Sequence, residues 1–348
     1  MIRASHGVWL AAIVGLVSPA SIAAVAADDS VPAITDWQHA DCAGCHAEIE
    51  AEWRKTLHAH AWSDPIVQAE LARTKAPSCR ECHAPASAAA ASRGIDCATC
   101  HVRDGVILAA APSLRGALAH PVRAEPALDT VDACRGCHQF AFADDGVHDP
   151  NEALQDTVAE WQRSTPFADG RMCQACHMPA VRGDDGVSRT SHRLRGIDDP
   201  TLLADAVLVR ADAIRRPDGI VVAVAVEVVG NRIGHAFPTG DVFREAILTV
   251  RTDGGASDAI VLRRWLARTI DADGAGHHVR TVDDTRVPPP GTGTMRDEVL
   301  LADPSATHVQ WELRLHRLSS DAARTRGLHE HVEGIAVAHG DVVVHDSH

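Results

Sequence analysis

The stretch Cys42-Ala-Gly-Cys45-His46 decides the fold, because its pattern of two cysteines and a histidine returns four more times before residue 180. The chain has 348 residues and 10 cysteines, and the five copies use every cysteine. The other copies are Cys79-Arg-Glu-Cys82-His83, Cys97-Ala-Thr-Cys100-His101, Cys134-Arg-Gly-Cys137-His138 and Cys173-Gln-Ala-Cys176-His177. A spacing that is kept five times, with no cysteine left over, indicates one repeated kind of site.

Cys-x-x-Cys-His is the attachment sequence of haem c. Two thiols one short turn apart form thioethers with the two vinyl groups of a porphyrin, and the next imidazole binds the iron. A disulfide framework or structural zinc would also use paired cysteines, but neither requires a histidine at the same offset five times. The sequence therefore predicts five covalently bound haem c groups, with the motif histidines as iron ligands: His46, His83, His101, His138 and His177.

The composition supports bulky cofactors. Aromatic residues make up 3% of the chain and tyrosine is absent, so large side chains to fill an interior are scarce. The motifs also follow one another too closely for a conventional core to form around each. Porphyrin faces would supply that apolar surface, and we expect the motif-bearing half to fold only with its cofactor, as structural-metal domains do.

Four other histidines are predicted to bind the irons from the opposite side: His58, His120, His192 and His235. The sequence favours a helix over residues 42–62, which contain no proline and no glycine after residue 44. On that helix His58 would lie about 18 Å beyond His46, so it would reach the iron of a neighbouring haem. His39 and His148 are the reserve candidates.

Two spacings suggest how the units are arranged. Only 13 residues separate the second motif from the third, which predicts a stacked pair of haems there. In addition, Glu52-Trp53-Arg54-Lys55-Thr56 recurs weakly as Glu160-Trp161-Gln162-Arg163-Ser164. The recurrence is consistent with repeated haem–helix units, although an amphipathic helix that buries one tryptophan explains it equally well.

The chain divides into three predicted parts. Residues 1–26 have the order of a secretory signal peptide: a cationic start, a short apolar run and Ala24-Val25-Ala26. An uncleaved membrane anchor is the alternative, but the apolar run is shorter than the roughly 20 residues of a spanning helix. Residues 27–199 form the pentahaem domain. Residues 200–348 contain short β-branched runs separated by turns, which predict an antiparallel β-sandwich and hence an α+β fold.

Charge and compartment restrict the partners. The formal net charge is −14, which argues against nucleic-acid binding and against anionic membranes. We expect a periplasmic or otherwise exported protein with no stable membrane insertion after signal cleavage. Its expected partners are periplasmic or membrane-bound redox proteins, which a basic surface would steer towards it.

Several segments resemble periplasmic multihaem cytochromes, namely cytochrome c-554-like proteins related to the tetrahaem acceptor of hydroxylamine oxidoreductase. They include Gly94-Ile95-Asp96-Cys97, Cys137-His138-Gln139-Phe140 and Cys176-His177-Met178-Pro179. Gly234-His235, with Pro238-Thr239-Gly240 after it, is similar to the start of the C-terminal part of some of these proteins. The resemblance implies mostly bis-histidine, low-spin haems that relay electrons. Five motifs instead of four mean that the family's ligand pattern transfers only in part.

Three functions are compatible with the sequence. The first is an electron carrier without catalysis of its own. The second is a haem oxidoreductase that acts on a small nitrogen oxide or hydroxylamine-type substrate at one open iron. The chain has no Cys-x-x-Cys-Lys motif and no tyrosine, so it lacks the lysine-ligated or tyrosine-crosslinked catalytic haems of known enzymes. The third is a subunit of an extracellular conduit, which has little support. The carrier is favoured.

Overall fold

The computed structural model describes residues 42–86, 93–111, 120, 122–142, 146–219, 221–271, 274, 277–328 and 333–347. The predicted signal peptide and His39 lie outside these ranges. Short helices and small hairpins form the first half, and long strands form the second. The predicted α+β fold is confirmed.

The helices are short because most of them serve a motif or a turn. Four of them end on a motif histidine, so each places its imidazole one helical step beyond the second cysteine. In the described residues, no helix combines the length and apolar character needed to cross a bilayer. The α-helices are α1 (Ala47–Trp53), α2 (Pro65–Thr74), α3 (Cys79–His83), α4 (Cys97–His101), α5 (Asp132–His138), α6 (Thr157–Gln162), α7 (Thr165–Ala168), α8 (Gln174–His177), α9 (Pro200–Ala204) and α10 (Ser320–Thr325).

The first helix is shorter than predicted. Helix α1 ends at Trp53, and residues 54–63 continue as turns instead of the expected helix to residue 62. The Thr56 hydroxyl accepts a hydrogen bond from the Ala59 amide at 3.2 Å. Such a local side-chain bond offers the backbone an alternative to the helical ladder. His58 therefore lies in a turn, and its reach is set by that turn.

Seven strands of the second half form one sheet, in the order β11 (Ser257–Leu262), β10 (Glu245–Thr252), β15 (His308–His316), β16 (Ile335–Asp346), β8 (Val207–Arg215), β9 (Val221–Gly230) and β14 (Met295–Ala302). All neighbours are antiparallel except β16 and β8, which are parallel. The edge strands β11 and β14 approach each other, so the predicted sandwich is one nearly closed sheet. The other strands are β1 (Val102–Arg103), β2 (Val106–Ala109), β3 (Val122–Ala124), β4 (Phe140–Ala141), β5 (Ala153–Gln155), β6 (Ala180–Arg182), β7 (Ser188–Thr190), β12 (Arg264–Ile270) and β13 (His277–Asp284).

Apolar burial is concentrated inside this sheet. Every second residue of β9 points inward, from Val222 to Val228, and meets Leu248 of β10 and Leu313 of β15. By contrast, the described residues before 200 bury only seven apolar side chains, three of which are alanines. The motif-bearing half therefore lacks a protein core of its own, as expected if porphyrins fill it.

A hairpin of β12 and β13 stands apart from the main sheet and contacts the first half. Arg264 pairs with Glu152 at 2.6 Å, and Arg280 pairs with Asp149 at 2.6 Å. The Val279 amide also donates to the carbonyl of residue 147 at 2.8 Å. These contacts join the segment after the fourth motif to the β-rich half.

Candidate cofactor-binding site

Eight of the nine histidines that were predicted as ligands form facing pairs. Each pair joins one motif histidine to one of the four other candidates. The distances between ring centroids are 6.3 Å for His46–His120, 6.3 Å for His58–His138, 6.0 Å for His101–His192 and 6.3 Å for His177–His235.

These separations fit one metal ion between two imidazoles. A transition metal binds an imidazole nitrogen at about 2 Å, and that nitrogen lies about 1.1 Å from the ring centroid, so the two centroids should be about 6.2 Å apart. Rings in direct contact come closer, as Phe142 and His148 do with a stacked spacing of 4.3 Å. That stacking places the reserve candidate His148 against a phenyl ring.

Hydrogen bonds orient four of the paired imidazoles. In each, Nδ1 lies within hydrogen-bond distance of a backbone carbonyl, which leaves Nε2 for a metal. Such a bond fixes both the tautomer and the ring orientation of a ligand histidine. Sequence analysis could not find these carbonyls, because a backbone acceptor leaves no residue signature. The pairs are His101 with Leu108 at 2.8 Å, His177 with Arg195 at 2.5 Å, His192 with Thr190 at 3.1 Å and His235 with Ala236 at 2.9 Å.

His83 is the exception among the motif histidines. It makes no ring contact with another histidine in the described part of the chain, and its buried Nδ1 has no hydrogen-bond partner there. Burial lowers the pKa of His83, while a hydrogen bond with the Ala61 backbone and the nearby carboxylates of Asp64 and Asp241 act in the opposite direction. Among the described residues, His83 is therefore the one motif histidine that faces no second imidazole.

The ten cysteines, all of which lie in described residues, form no disulfide. Thiols of different motifs meet instead. A hydrogen bond with Cys97 lowers the pKa of Cys42 to about 6, and one with Cys82 lowers the pKa of Cys137 to about 7. These contacts join the first motif to the third and the second to the fourth.

The fourth motif also meets the fifth. A hydrogen bond with Cys134 lowers the pKa of Cys173 to about 7. The Gln174 side chain strengthens this junction, because its amide donates to the carbonyls of Leu128 and Thr130 at 2.9 and 2.8 Å. These carbonyls lie in the turn that leads into α5, so the helices of the two motifs are held together.

The donor set fits a porphyrin better than a bare metal ion. Structural zinc takes four protein ligands. In the described residues, no three His, Cys, Asp or Glu side chains converge on one point, whereas two imidazoles do so four times. A porphyrin supplies the four equatorial nitrogens that such a pair lacks.

Arginines line two cavities next to motif cysteines. A cavity beside Cys42 and Cys97 includes Arg93 in its lining. A second cavity, beside Cys176, is lined by three arginines: Arg171, Arg195 and Arg232. Guanidinium groups form charge-assisted hydrogen bonds with carboxylates, so these linings suit haem propionates.

Two comparisons with known proteins found similarities. The family model "Cytochrome c554 and c-prime" matches residues 41–102, which span the first three motifs. The fold is similar to the crystal structure of a penta-heme cytochrome c552 from Thermochromatium tepidum, with a TM-score of 0.66 and 21% identity. That match covers 87% of this chain and 97% of the other. Among curated proteins, none matches this sequence.

Proposed function

We propose that this chain is a multihaem c-type cytochrome that relays electrons between redox partners through five covalently bound haem c groups. Its similarity to the cytochrome c554 family over residues 41–102 and to the fold of a penta-heme cytochrome c552 supports the proposal. Four of these haems have two histidine ligands. The observation that carries this proposal is the set of four facing imidazole pairs. An iron with six ligands has no open position for a substrate, so it suits electron transfer.

The proposed ligand pairs follow the observed geometry. The motif histidine ends a helix in three of the pairs, and in the fourth pair His46 directly precedes α1. The opposite imidazole comes from a segment that is distant in sequence. Haem c supplies one-electron exchange between ferrous and ferric iron when it is bound. The protein's part is to orient the imidazoles through their Nδ1 hydrogen bonds and to exclude water from the iron. The pairs are His46 with His120, His138 with His58, His101 with His192 and His177 with His235.

Contacts between motifs support a relay. The first motif meets the third through Cys42 and Cys97. The fourth meets the second through Cys137 and Cys82, and it meets the fifth through Cys134 and Cys173. Haems held at these motifs would therefore have close neighbours, as electron transfer between them requires.

The location and partners belong to the same proposal. An exported, periplasmic carrier agrees with the signal-like residues 1–26 and with the haem attachment motifs. The net charge of −14 favours a partner with a basic docking surface. Haem propionates would add further negative charge, so encounter with such a partner should weaken as salt increases.

One observation favours a second function. His83 has no facing imidazole in the described residues, so the iron that it holds would keep an open position. An open haem iron can bind a small ligand. A small nitrogen oxide or a hydroxylamine-type molecule is the class that fits the family resemblance. The two functions are compatible, because the four haems with paired imidazoles would conduct electrons to or from the haem of the second motif.

Mass spectrometry and EPR of the holoprotein test both functions. We expect the mass of five added haems, low-spin ferric signals from the paired sites and a separate high-spin signal that shifts with cyanide. Unmodified thiols or cystines would refute the carrier. Low-spin signals alone would refute the open iron.

Single alanine variants test the ligand pairs. Replacing His58, His120, His192 or His235 should convert one low-spin haem to high-spin. His60→Ala is the matched control for His58→Ala, because His60 is an exposed neighbour. An unchanged spectrum removes the replaced histidine from the ligand set.

A further inference from the structure

The weak internal recurrence of the sequence has a structural counterpart. We propose that Glu52-Trp53 and Glu160-Trp161, here called the two Glu–Trp clamps, are positioning elements that each fix both iron ligands of one haem. The inference rests on the proposed function. The first clamp serves the His101–His192 pair, and the second serves the His177–His235 pair.

The tryptophan of each clamp holds the segment that leads into a motif. Trp53 Nε1 donates to the Ile95 carbonyl at 2.9 Å, and Trp161 Nε1 donates to the Arg171 carbonyl at 3.0 Å. Both carbonyls lie two residues before the first cysteine of a motif, the third in one case and the fifth in the other. The same donor therefore fixes the same backbone position relative to two proximal histidines.

The glutamate of the first clamp holds the opposite ligand. Glu52 accepts a hydrogen bond from the backbone amide of His192 at 2.7 Å and from the Ser191 hydroxyl at 3.3 Å. Arg189 of β7, three residues before His192, donates to both carboxylate oxygens at 3.0 Å. A bidentate, charge-assisted pair of this kind fixes direction as well as distance. Glu52 thereby sets the backbone from which the His192 imidazole faces His101.

The glutamate of the second clamp repeats the arrangement. Glu160 accepts from the Ala236 amide at 3.3 Å, directly after His235, and from the Thr239 hydroxyl at 2.6 Å. Arg286 completes the group, with its Nη1 at 2.7 Å from Glu160. Each clamp thus combines one carboxylate, one arginine and one backbone amide at or next to the opposite histidine.

Burial gives the second clamp the larger energetic weight. The Glu160 side chain is 1% exposed and that of Arg286 is 9% exposed, against 20% and 21% for Glu52 and Arg189. If one member of a buried ion pair is removed, the remaining charge has no partner. In a more exposed pair, water can solvate the remaining charge. The His177–His235 site should therefore depend on its clamp more strongly than the His101–His192 site.

The second clamp also crosses between the two halves of the protein. Glu160 belongs to α6 in the motif-bearing half, while Ala236, Thr239 and Arg286 belong to the β-rich half. The β-rich half thus supplies an imidazole for one haem together with the arginine that anchors it. This gives the second half a role in the electron relay itself.

The experiment compares clamp and ligand variants by EPR and by the midpoint potentials of the haems in the full-length holoprotein. Glu160→Ala should convert one low-spin haem to high-spin and match the signature of His235→Ala. Glu52→Ala should match His192→Ala, with partial conversion. Added imidazole should restore the low-spin signal in all four variants. Trp53→Phe and Trp161→Phe, which keep the packing but lose the donor, should shift the potential of one haem each.

Matched controls separate the clamp from general damage. Arg54→Ala and Arg163→Ala alter exposed charges directly after α1 and α6 and should leave spectra and potentials unchanged. If Glu160→Ala does not mature, Glu160→Gln, which keeps the size of the side chain, is measured in its place with the same expectation.

The outcomes distinguish the two levels of inference. If His235→Ala and His192→Ala change the spectrum while the glutamate variants leave spectrum and potentials intact, the clamps are refuted and the ligands stand. If the histidine variants themselves change nothing, the ligand assignment of the proposed function fails.

Discussion

Replacing Arg286 by methionine should destabilise the protein and loosen the His235 loop. The variant would leave Glu160, 1% exposed, without its cation. Removing one partner of a buried ion pair costs about 3–5 kcal/mol. The carboxylate would keep the Thr239 hydroxyl at 2.6 Å and the Ala236 amide at 3.3 Å, so we expect the lower end of that range, about 3 kcal/mol.

Guanidinium unfolding of the holoprotein, followed by far-ultraviolet circular dichroism, measures this change in the free energy of unfolding. Asp284→Asn is the control, because Asp284 also pairs with Arg286 but is 43% exposed. An exposed pair contributes about 0–1 kcal/mol. Adding Glu160→Gln to Arg286→Met should recover part of the loss, since it removes the unpaired charge. A loss below about 1 kcal/mol in Arg286→Met alone would refute the reasoning.

Three further predictions test other parts of the molecule. Leu248→Ala, at a fully buried core position of β10, should lower the free energy of unfolding by about 2–5 kcal/mol and leave the haem spectrum unchanged. The pKa of Asp149 is held below its usual value by the Asn151 amide and by Arg280, so its stabilising effect is present above the unfolded pKa and disappears as pH falls through the folded one. Asp149→Asn should therefore flatten the loss of stability in acid, as measured by thermal unfolding from pH 6 down to about pH 3. Finally, stopped-flow reduction by a cationic metal complex should slow as salt rises while reduction by an anionic complex accelerates, and a common salt dependence would contradict the charge argument.

The cysteines and histidine of each motif could be predicted from the sequence, because their geometry is local. Two cysteines and a histidine within five residues fix one another through a single turn of helix, so the motif alone indicates where an iron would lie. The four other candidate ligands, His58, His120, His192 and His235, each face a motif histidine in the structure, and their role as ligands stays a prediction. Their partners were not predictable, because pairing depends on loops that meet over long sequence distances.

The errors in the fold also have physical reasons. The helix predicted to residue 62 ends at Trp53, because hydrogen bonds around Thr56 favour turns. The last strand, β16, has no continuous β-branched run, because histidines, aspartates and a glycine interrupt its apolar pattern. That strand joins β15 to β8, so without it the predicted strands could not be assembled into one nearly closed sheet.

The Glu–Trp recurrence shows how a weak sequence signal becomes interpretable. In the sequence, a buried tryptophan on an amphipathic helix explained it as well as a functional unit did. In the structure, both indoles donate to the carbonyl two residues before a motif, and both carboxylates receive an amide at or next to an opposite histidine. A helix that merely buried a tryptophan would not place both partners at equivalent positions twice. The recurrence is therefore explained by the need to place two opposite histidines. The second clamp also joins the β-rich half to the motif-bearing half through the ion pair of Glu160 and Arg286.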